Sequence, residues 1–252
     1  MTSSDLTDST VIVTGASRGF GYATALALAE AGAGVVGVAR TVGPLDELRQ
    51  RIGTAFTPVA ADASDPTVAR DLVRKHRPAV LVLNAGAVPP MGPIHEMTWE
   101  DFGHNWTVDT RHAFNWIGEA LRAPLSSGST VVVISSGAAL RGSPLSGGYA
   151  GAKSAIRFIS SYAAAESARL GLGIRFVTLL PQLTPATSLG STGVAAYAAR
   201  QGTDVEAFVD ALQPIVTPEL VGREIVGLFA GDQVRPHVEY LLTGRGLMAV
   251  PS

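Results

Sequence analysis

The sequence predicts an α/β chain: a doubly wound, parallel sheet of about seven strands with helices on both faces, built as one domain over residues 1–252. Three observations carry this. Short β-branched runs are almost continuously apolar, as strands buried on both faces of a parallel sheet are. Ala-rich or amphipathic stretches of helical length lie between them, so strand and helix alternate and right-handed crossovers follow. One internal stretch, 181–218, breaks that rhythm without offering a second core.

In chain order, the strand runs are 10–13, 35–38, 80–83, 130–134 and 174–180. A weaker run spans 55–59, and 237–242 closes the sheet. The helical stretches are 22–31, 67–76, 98–123 and 149–170. Segment 181–218 holds four prolines, a TSLGSTG run and one short helical patch, so residues 182–216 read as a loop-plus-helix lid.

Composition narrows the function. The net charge of −2, from 19 basic and 21 acidic side chains, provides no electrostatic footprint for nucleic acid or an anionic membrane. With no Cys there is no disulfide, thiol nucleophile or thiolate metal site. No apolar run reaches the roughly 18–20 residues of a membrane-spanning helix. The opening MTSSDLTDST is polar and acidic, unlike a signal or transit peptide. A soluble cytoplasmic protein with a small-molecule substrate is expected.

The first strand runs into Thr14-Gly15-Ala16-Ser17-Arg18-Gly19-Phe20-Gly21 and then a helix. A helix N-terminus offers free N–H groups and the positive end of its dipole to a pyrophosphate. Gly15, Gly19 and Gly21 meet the three needs for glycine there: a sharp turn, close approach to phosphate, and close helix–strand packing. An ordinary Gly-rich strand–helix turn is the plain alternative. At the end of the second strand an acid would favour NAD by accepting from the ribose 2′-hydroxyl. The chain instead reads Val38-Ala39-Arg40-Thr41, with no acid before Asp46. Arg40, with Arg18, offers guanidinium donors to a 2′-phosphate, which selects NADP(H); either could also be a solvated surface charge.

Ser136 ends a strong strand, and 13 residues later Tyr149-Ala150-Gly151-Ala152-Lys153 opens a helix. Tyr and Lys at i and i+4 share one face, where the cation stabilises a tyrosinate and lets the phenol exchange a proton near neutral pH. Ser136 can hydrogen-bond and polarise a substrate oxygen.

On these motifs the chain resembles the short-chain dehydrogenase/reductase family over nearly its whole length, in its NADP-preferring subgroup. TGASRGFG is similar to that family's cofactor loop, and Ser136, Tyr149 and Lys153 to its catalytic set. Leu83-Asn84-Ala85-Gly86 resembles its NNAG segment, and Asp62, followed by Ala63, its adenine-contacting acid. The resemblance implies a Rossmann-type sheet and hydride transfer between a nicotinamide and a carbonyl or alcohol carbon. Tyr149 then moves the proton, Lys153 also holds the nicotinamide ribose, and Ser136 positions the substrate oxygen. Cofactor contacts are implied for Gly15, Ser17, Arg18, Gly19, Phe20, Gly21, Arg40, Asp62, Ala63, Asn84, Ala85, Gly86, Tyr149, Lys153, Pro181 and Thr184. A homo-oligomer, dimer or tetramer, paired through the helices 98–123 and 149–170, is implied as well.

The chain departs from the family's pattern at several points. Leu83 replaces the first Asn of NNAG, and Gln182 the Gly that follows Pro181. The C-terminus, LLTGRGLMAVPS, lacks the usual Gly pair. Asp109 stands where the family's catalytic Asn is expected, with Asn105 the alternative occupant of that place. A non-catalytic NADP-binding regulator, or an epimerase or dehydratase on the same fold, are the rival functions. The five His are scattered and predict no metal site. Trp99, Trp106 and Trp116 are expected against the sheet or a subunit, or stacked on substrate; Arg141 closes a loop or reaches an anionic substrate. Segments 87–93, 137–145 and 182–189 are largely apolar and form the expected substrate wall.

Overall fold

The computed structural model describes residues 6–229 and 237–250, apart from the side chains of His237 and Val238. The first five residues of the leader reading, the end of the C-terminal reading and the His237 ring lie outside what it describes. The strands are β1 (Thr10–Thr14), β2 (Gly34–Ala39), β3 (Phe56–Ala60), β4 (Val80–Leu83), β5 (Thr130–Ile134), β6 (Arg175–Pro181), β7 (His237–Thr243) and β8 (Gly246–Ala249). They form one sheet in the order β3-β2-β1-β4-β5-β6-β7-β8. The first seven are parallel, and β8 runs antiparallel to β7.

Among the described residues the sheet thus has eight strands, where about seven were expected. The extra one returns from β7 through the two-residue turn Gly244-Arg245, with Thr243 paired to Gly246. Gly246 has φ +101°, open to glycine at no steric penalty. The signal was present in T-G-R-G between two β-prone runs.

Alternation along the strands splits the core into two layers. Val11, Val13, Val80, Val82, Val132 and Ile134 face one side with Leu28 and Ile225. Ile12, Leu81, Leu83, Val131, Val133 and Phe176 face the other with Trp116 and Ile156. The first layer is covered by α1 (Gly19–Glu30) and α10 (Pro218–Gly227), the second by α3 (Pro66–His76), α5 (Arg111–Arg122) and α7 (Gly147–Arg169). A fully buried Leu or Ile contributes roughly 1.5–3 kcal/mol, so both layers are strongly driven.

Several helical expectations change, and α10, which covers the first core layer, was not anticipated either. α2 (Val42–Ile52) was not anticipated because Gly43 and Pro44 break the pattern, yet both fall in its first turn, where a missing N–H does no harm. The stretch 98–123 is not one regular helix. It runs as α4 (Trp99–Asn105), a π-helical turn (Trp106–Thr110) and α5. The segment 182–216, expected to be a loop-plus-helix lid, contains two helices, α8 (Ser188–Gln201) and α9 (Val205–Ala211), capped by Thr187 and Asp204. A four-residue turn of helix, α6 (Ala138–Arg141), follows β5.

Candidate active site

Strand order reverses between β1 and β4, which places a crevice at the C-terminal ends of these strands, where doubly wound sheets take ligands. Thr14 ends β1. Its hydroxyl donates to the Val82 carbonyl (3.2 Å) and accepts from the N–H groups of Asn84 (3.0 Å) and Ala85 (3.2 Å). Asn84 Nδ2 in turn donates to the carbonyls of Thr14 (3.1 Å) and Gly15 (3.3 Å).

This lock leaves no room for side chains. A Cβ on Gly21 would stand 2.2 Å from the Gly15 carbonyl oxygen, and one on Gly15 would stand 2.8 Å from Asn84 Nδ2. Arg18 precedes α1 as its N-cap without a side-chain capping bond, and the first turn holds no acid. The positive end of the helix therefore faces the crevice without a local carboxylate to neutralise it. Ser17 and Gly19 are half-buried and Arg18 exposed, whereas the Phe20 ring packs on the first core layer.

Arg40 and Asp62 follow β2 and β3 and are both exposed. The Ser64 N–H (2.9 Å) and hydroxyl (2.8 Å), and then the Arg40 guanidinium, hold the Asp62 carboxyl below the usual carboxylate range. Ala63 is buried, and its carbonyl accepts from the Trp116 indole N–H at 2.8 Å. Trp116 therefore pins the chain beside Asp62. Trp99, in contrast, is 82% exposed and stacks on Phe102.

At the other end of the crevice, Ser136 follows β5, half-buried, its hydroxyl accepting from the Ala138 N–H at 3.1 Å. Tyr149 and Lys153 lie in the first turns of α7. The Lys153 ammonium is buried, 5.6 Å from the centroid of the Tyr149 ring, and donates to the Ile134 carbonyl at 3.2 Å. Asp109 Oδ2 stands 3.2 Å away as an ion pair, without the alignment of a directed hydrogen bond. Burial pushes the Lys153 ammonium down, but the charges of Asp109 and then Tyr149 outweigh it, so it titrates above the usual lysine value.

Asp109 belongs to the π-helical turn and is 1% exposed. Its Oδ1 accepts from the Ala87 N–H at 2.8 Å, while Asn105 Nδ2 donates to the Ala87 carbonyl at 3.0 Å. His112, one turn further, is buried with Nε2 unpartnered among the described residues. Burial, and then the Lys153 ammonium, hold its imidazole down at about 3.

The expected substrate wall is joined into one surface. The Gly92 N–H donates to the Leu145 carbonyl at 2.8 Å. Ser143 hydrogen-bonds Ser146 at 2.7 Å and also the Tyr197 hydroxyl of α8, which ties the lid to the turn before Tyr149. Pro181 is buried, its carbonyl accepting from the Gly137 N–H at 2.8 Å. Thr184 is buried too, and its hydroxyl donates to the Val216 carbonyl at 2.6 Å, anchoring the base of the lid. Among the described residues no three His, Asp or Glu side chains are grouped to hold a metal ion.

Residues 9–196 match the family described as short chain dehydrogenase. The chain belongs to that family. It is an oxidoreductase by that membership. An uncharacterized oxidoreductase of Listeria monocytogenes is 32% identical over 182 residues, covering 68% of this chain and 72% of its own. A protein assigned as an NAD(P)-dependent gluconate 5-dehydrogenase from Beutenbergia cavernae, solved with NADP at low occupancy, is 28% identical. It superposes with TM-score 0.79 over 96% of this chain and 98% of its own. An NAD+-bound xylitol dehydrogenase, 19% identical, shares the fold with TM-score 0.82 over 95% of this chain and 99% of its own.

Within this short chain dehydrogenase the two groups of predicted residues gather at the two ends of one crevice. The departures fall into place physically. Leu83 is a buried residue of the second core layer, and exposed Gln182 ties its N–H to the Leu242 carbonyl at 2.9 Å. The sequence reading offered Asn105 and Asp109 as alternatives; in the structure both bind the Ala87 backbone. Trp116 packs on the sheet in the second core layer, one of the places expected for it, but its bond to the Ala63 carbonyl and the burial of His112 were missed, since nothing in the spacing marks either.

Proposed function

We propose that this chain is an NADP(H)-dependent oxidoreductase that transfers a hydride between the nicotinamide and a carbonyl or secondary alcohol of a small to medium apolar molecule. The observation that carries the proposal is the buried Lys153 ammonium beneath the Tyr149 ring at 5.6 Å, held there by Asp109 and the Ile134 carbonyl. A phenol beside a fixed cation is equipped to give and take a proton as an alcohol and a ketone interconvert.

The crevice fits a dinucleotide. Gly15 and Gly21 keep clear the space that a Cβ would fill, and the acid-free start of α1 suits a pyrophosphate. Gly15, Ser17, Gly19 and Gly21 would hold it by their backbone, with Phe20 setting the turn by packing behind it. Arg18 and Arg40 would meet the 2′-phosphate. Asp62 and Ala63 would border the adenine; Asn84, Ala85, Gly86, Lys153, Pro181 and Thr184 would line the nicotinamide side. The nicotinamide supplies or accepts the hydride. Tyr149 exchanges the proton at its hydroxyl, Lys153 stabilises the phenolate so formed, and Ser136 orients the substrate oxygen. The wall formed by 87–93, 137–145 and the lid carries few charges, which supports an apolar substrate.

Tyr149→Phe is the decisive variant. Turnover, followed by NADPH absorbance over a panel of ketones and alcohols, is expected to fall about 10²–10⁴-fold with NADPH affinity nearly unchanged. A loss below about tenfold removes Tyr149 from the proton transfer. On the same panel, tight binding without turnover would favour the regulator, and product without net cofactor change the epimerase or dehydratase.

We further propose a homo-oligomer joined through α5 and α7. Phe114, Phe158 and Tyr162 are 59%, 58% and 64% exposed there, and the two α7 rings are stacked 6.1 Å apart. Light scattering at micromolar concentration is expected to give a dimer or tetramer; a monomer refutes it.

A further inference from the structure

Ala87 follows directly on the Asn84-Ala85-Gly86 run, and both its backbone groups are gripped from one helical segment. Its N–H donates to Asp109 Oδ1 at 2.8 Å and its carbonyl accepts from Asn105 Nδ2 at 3.0 Å. Asn105 and Asp109 are each 1% exposed, and Asn105 Nδ2 also reaches Asp109 Oδ1 at 3.4 Å. One carboxamide carries an acceptor and a donor and could hold an N–H and a C=O by itself. Here the two functions sit on separate residues. The π-helical turn Trp106–Thr110 begins directly after Asn105 and contains Asp109; such turns are frequent at functional sites.

The division changes the electrostatics. A carboxylate that uses Oδ1 on Ala87 still has a second anionic oxygen, and Asp109 Oδ2 stands 3.2 Å from Lys153 Nζ. That oxygen packs so closely on the chain that a Cβ on Gly86 would come within 2.9 Å of it. An amide in this place would present no charge to the ammonium.

We propose that Asn105 and Asp109 are one positioning unit for Lys153, in which Asn105 anchors the Ala87 carbonyl and so leaves the charge of Asp109 to fix the ammonium beneath Tyr149. The inference rests on the reading of Tyr149 and Lys153 as the proton-handling pair. The groups facing Lys153 are Asp109 from the π-helical turn, Tyr149 from its own helix, the Ile134 carbonyl from β5 and the neutral His112 from α5. Asp109 is the carboxylate among them, so its removal has a readable consequence.

The test compares the whole protein with Asp109→Asn, Asn105→Asp and the transposed double variant. Three quantities are measured: melting of the cofactor-free protein, the Lys153 titration by NMR of lysine-labelled cofactor-free protein, and the pH–rate profile. Asp109→Asn keeps an acceptor for the Ala87 N–H but loses the charge, so the Lys153 titration and the rate profile both move to lower pH. Asn105→Asp removes the donor and sets two carboxylates together, lowering Tm on the order of 5 °C or more. The double variant regains part of that Tm, because Asn at 109 still accepts from the Ala87 N–H and its amide can donate to the carboxylate at 105, while the Lys153 titration stays below its wild-type position.

If Asp109→Asn does not fold, Asn105→Ala carries the test: Tm falls by a few degrees, and the Lys153 titration stays near its wild-type position. The proposal is overturned if Asp109→Asn leaves the Lys153 titration and rate profile unmoved, if the double variant melts no higher than Asn105→Asp, or if Asn105→Ala melts like wild type. Titration and melting are read without cofactor or substrate. They decide the coupling even if Tyr149→Phe keeps its turnover, the result that sinks the proton-transfer reading.

Discussion

The two ends of the crevice are made of opposite materials. The nucleotide end is backbone and surface: glycines with no space for a Cβ, a bare helix start, and two exposed arginines. The reaction end is buried side chains, with Asn105, Asp109, His112 and Lys153 all at 5% exposure or less. The first end depends on steric clearance, which one added methyl destroys. The second depends on charges removed from water, where partners are strongly coupled and a lost partner is costly.

Gly21→Ala should have the largest effect on folding. Its Cβ would sit 2.2 Å from the Gly15 carbonyl oxygen and 2.5 Å from Asn84 Nδ2, and neither can retreat without breaking the Thr14–Asn84 lock. A loss of about 3 kcal/mol or more is expected, seen as aggregation or a steep fall in Tm together with lost NADPH binding. Gly43→Ala is the control. Nothing lies within 4 Å of its Cβ, so it should be neutral or slightly stabilising. Equal melting of the two variants would show that clearance does not govern this end.

That contrast also explains what the sequence reveals. Steric need at a turn is written locally, so Gly15, Gly19 and Gly21 announce the loop, and the spacing of Ser136, Tyr149 and Lys153 announces the other end. The sheet was legible because buried parallel strands are apolar throughout. The eighth strand went unread because its hairpin is only a two-residue turn and a short antiparallel return. The Asn105–Ala87–Asp109 grip joins residues 18 and 22 positions apart, and the Trp116–Ala63 bond spans 53. Such pairings follow from packing rather than from any periodic pattern. The π-helical turn was hidden for the same reason: its residues, WTVDT, are weak helix formers, but propensity does not mark a widened turn, and only the contacts of Asp109 show why the helix widens there.

His112 gives a smaller effect, specific to the buried end. Its imidazole is held down at about 3, from an ordinary 6.5, by burial and then by Lys153. The folded protein keeps it neutral, whereas the unfolded chain takes up a proton as pH falls below 6.5. Its contribution is therefore complete above 6.5 and lost progressively down to about 3. Each unit in that window corresponds to about 1.4 kcal/mol, so wild type should lose about 2 kcal/mol more than His112→Leu between pH 7 and pH 5. Denaturant unfolding at the two pH values measures it. Parallel losses in both proteins would mean that water reaches the ring.

Arg40→Asp gives the smallest change in free energy, and it belongs to the exposed end. The substitution replaces a guanidinium by a carboxylate that repels a 2′-phosphate and accepts from a 2′-hydroxyl. Because Arg40 and Arg18 are exposed, their attraction is screened by salt, and a change of about threefold to tenfold in the NADP/NAD ratio of kcat/KM is expected. The same exposure makes a second demand. In wild type the preference should shrink as ionic strength rises from about 0.01 M to about 1 M, where the screening length falls from about 30 Å to about 3 Å. Over that range Tyr149-dependent chemistry, shielded with the buried Lys153, should hardly change. A wild type that uses NAD as well as NADP at low salt would remove both arginines from cofactor selection. A preference that survives high salt would place its origin in a buried contact instead.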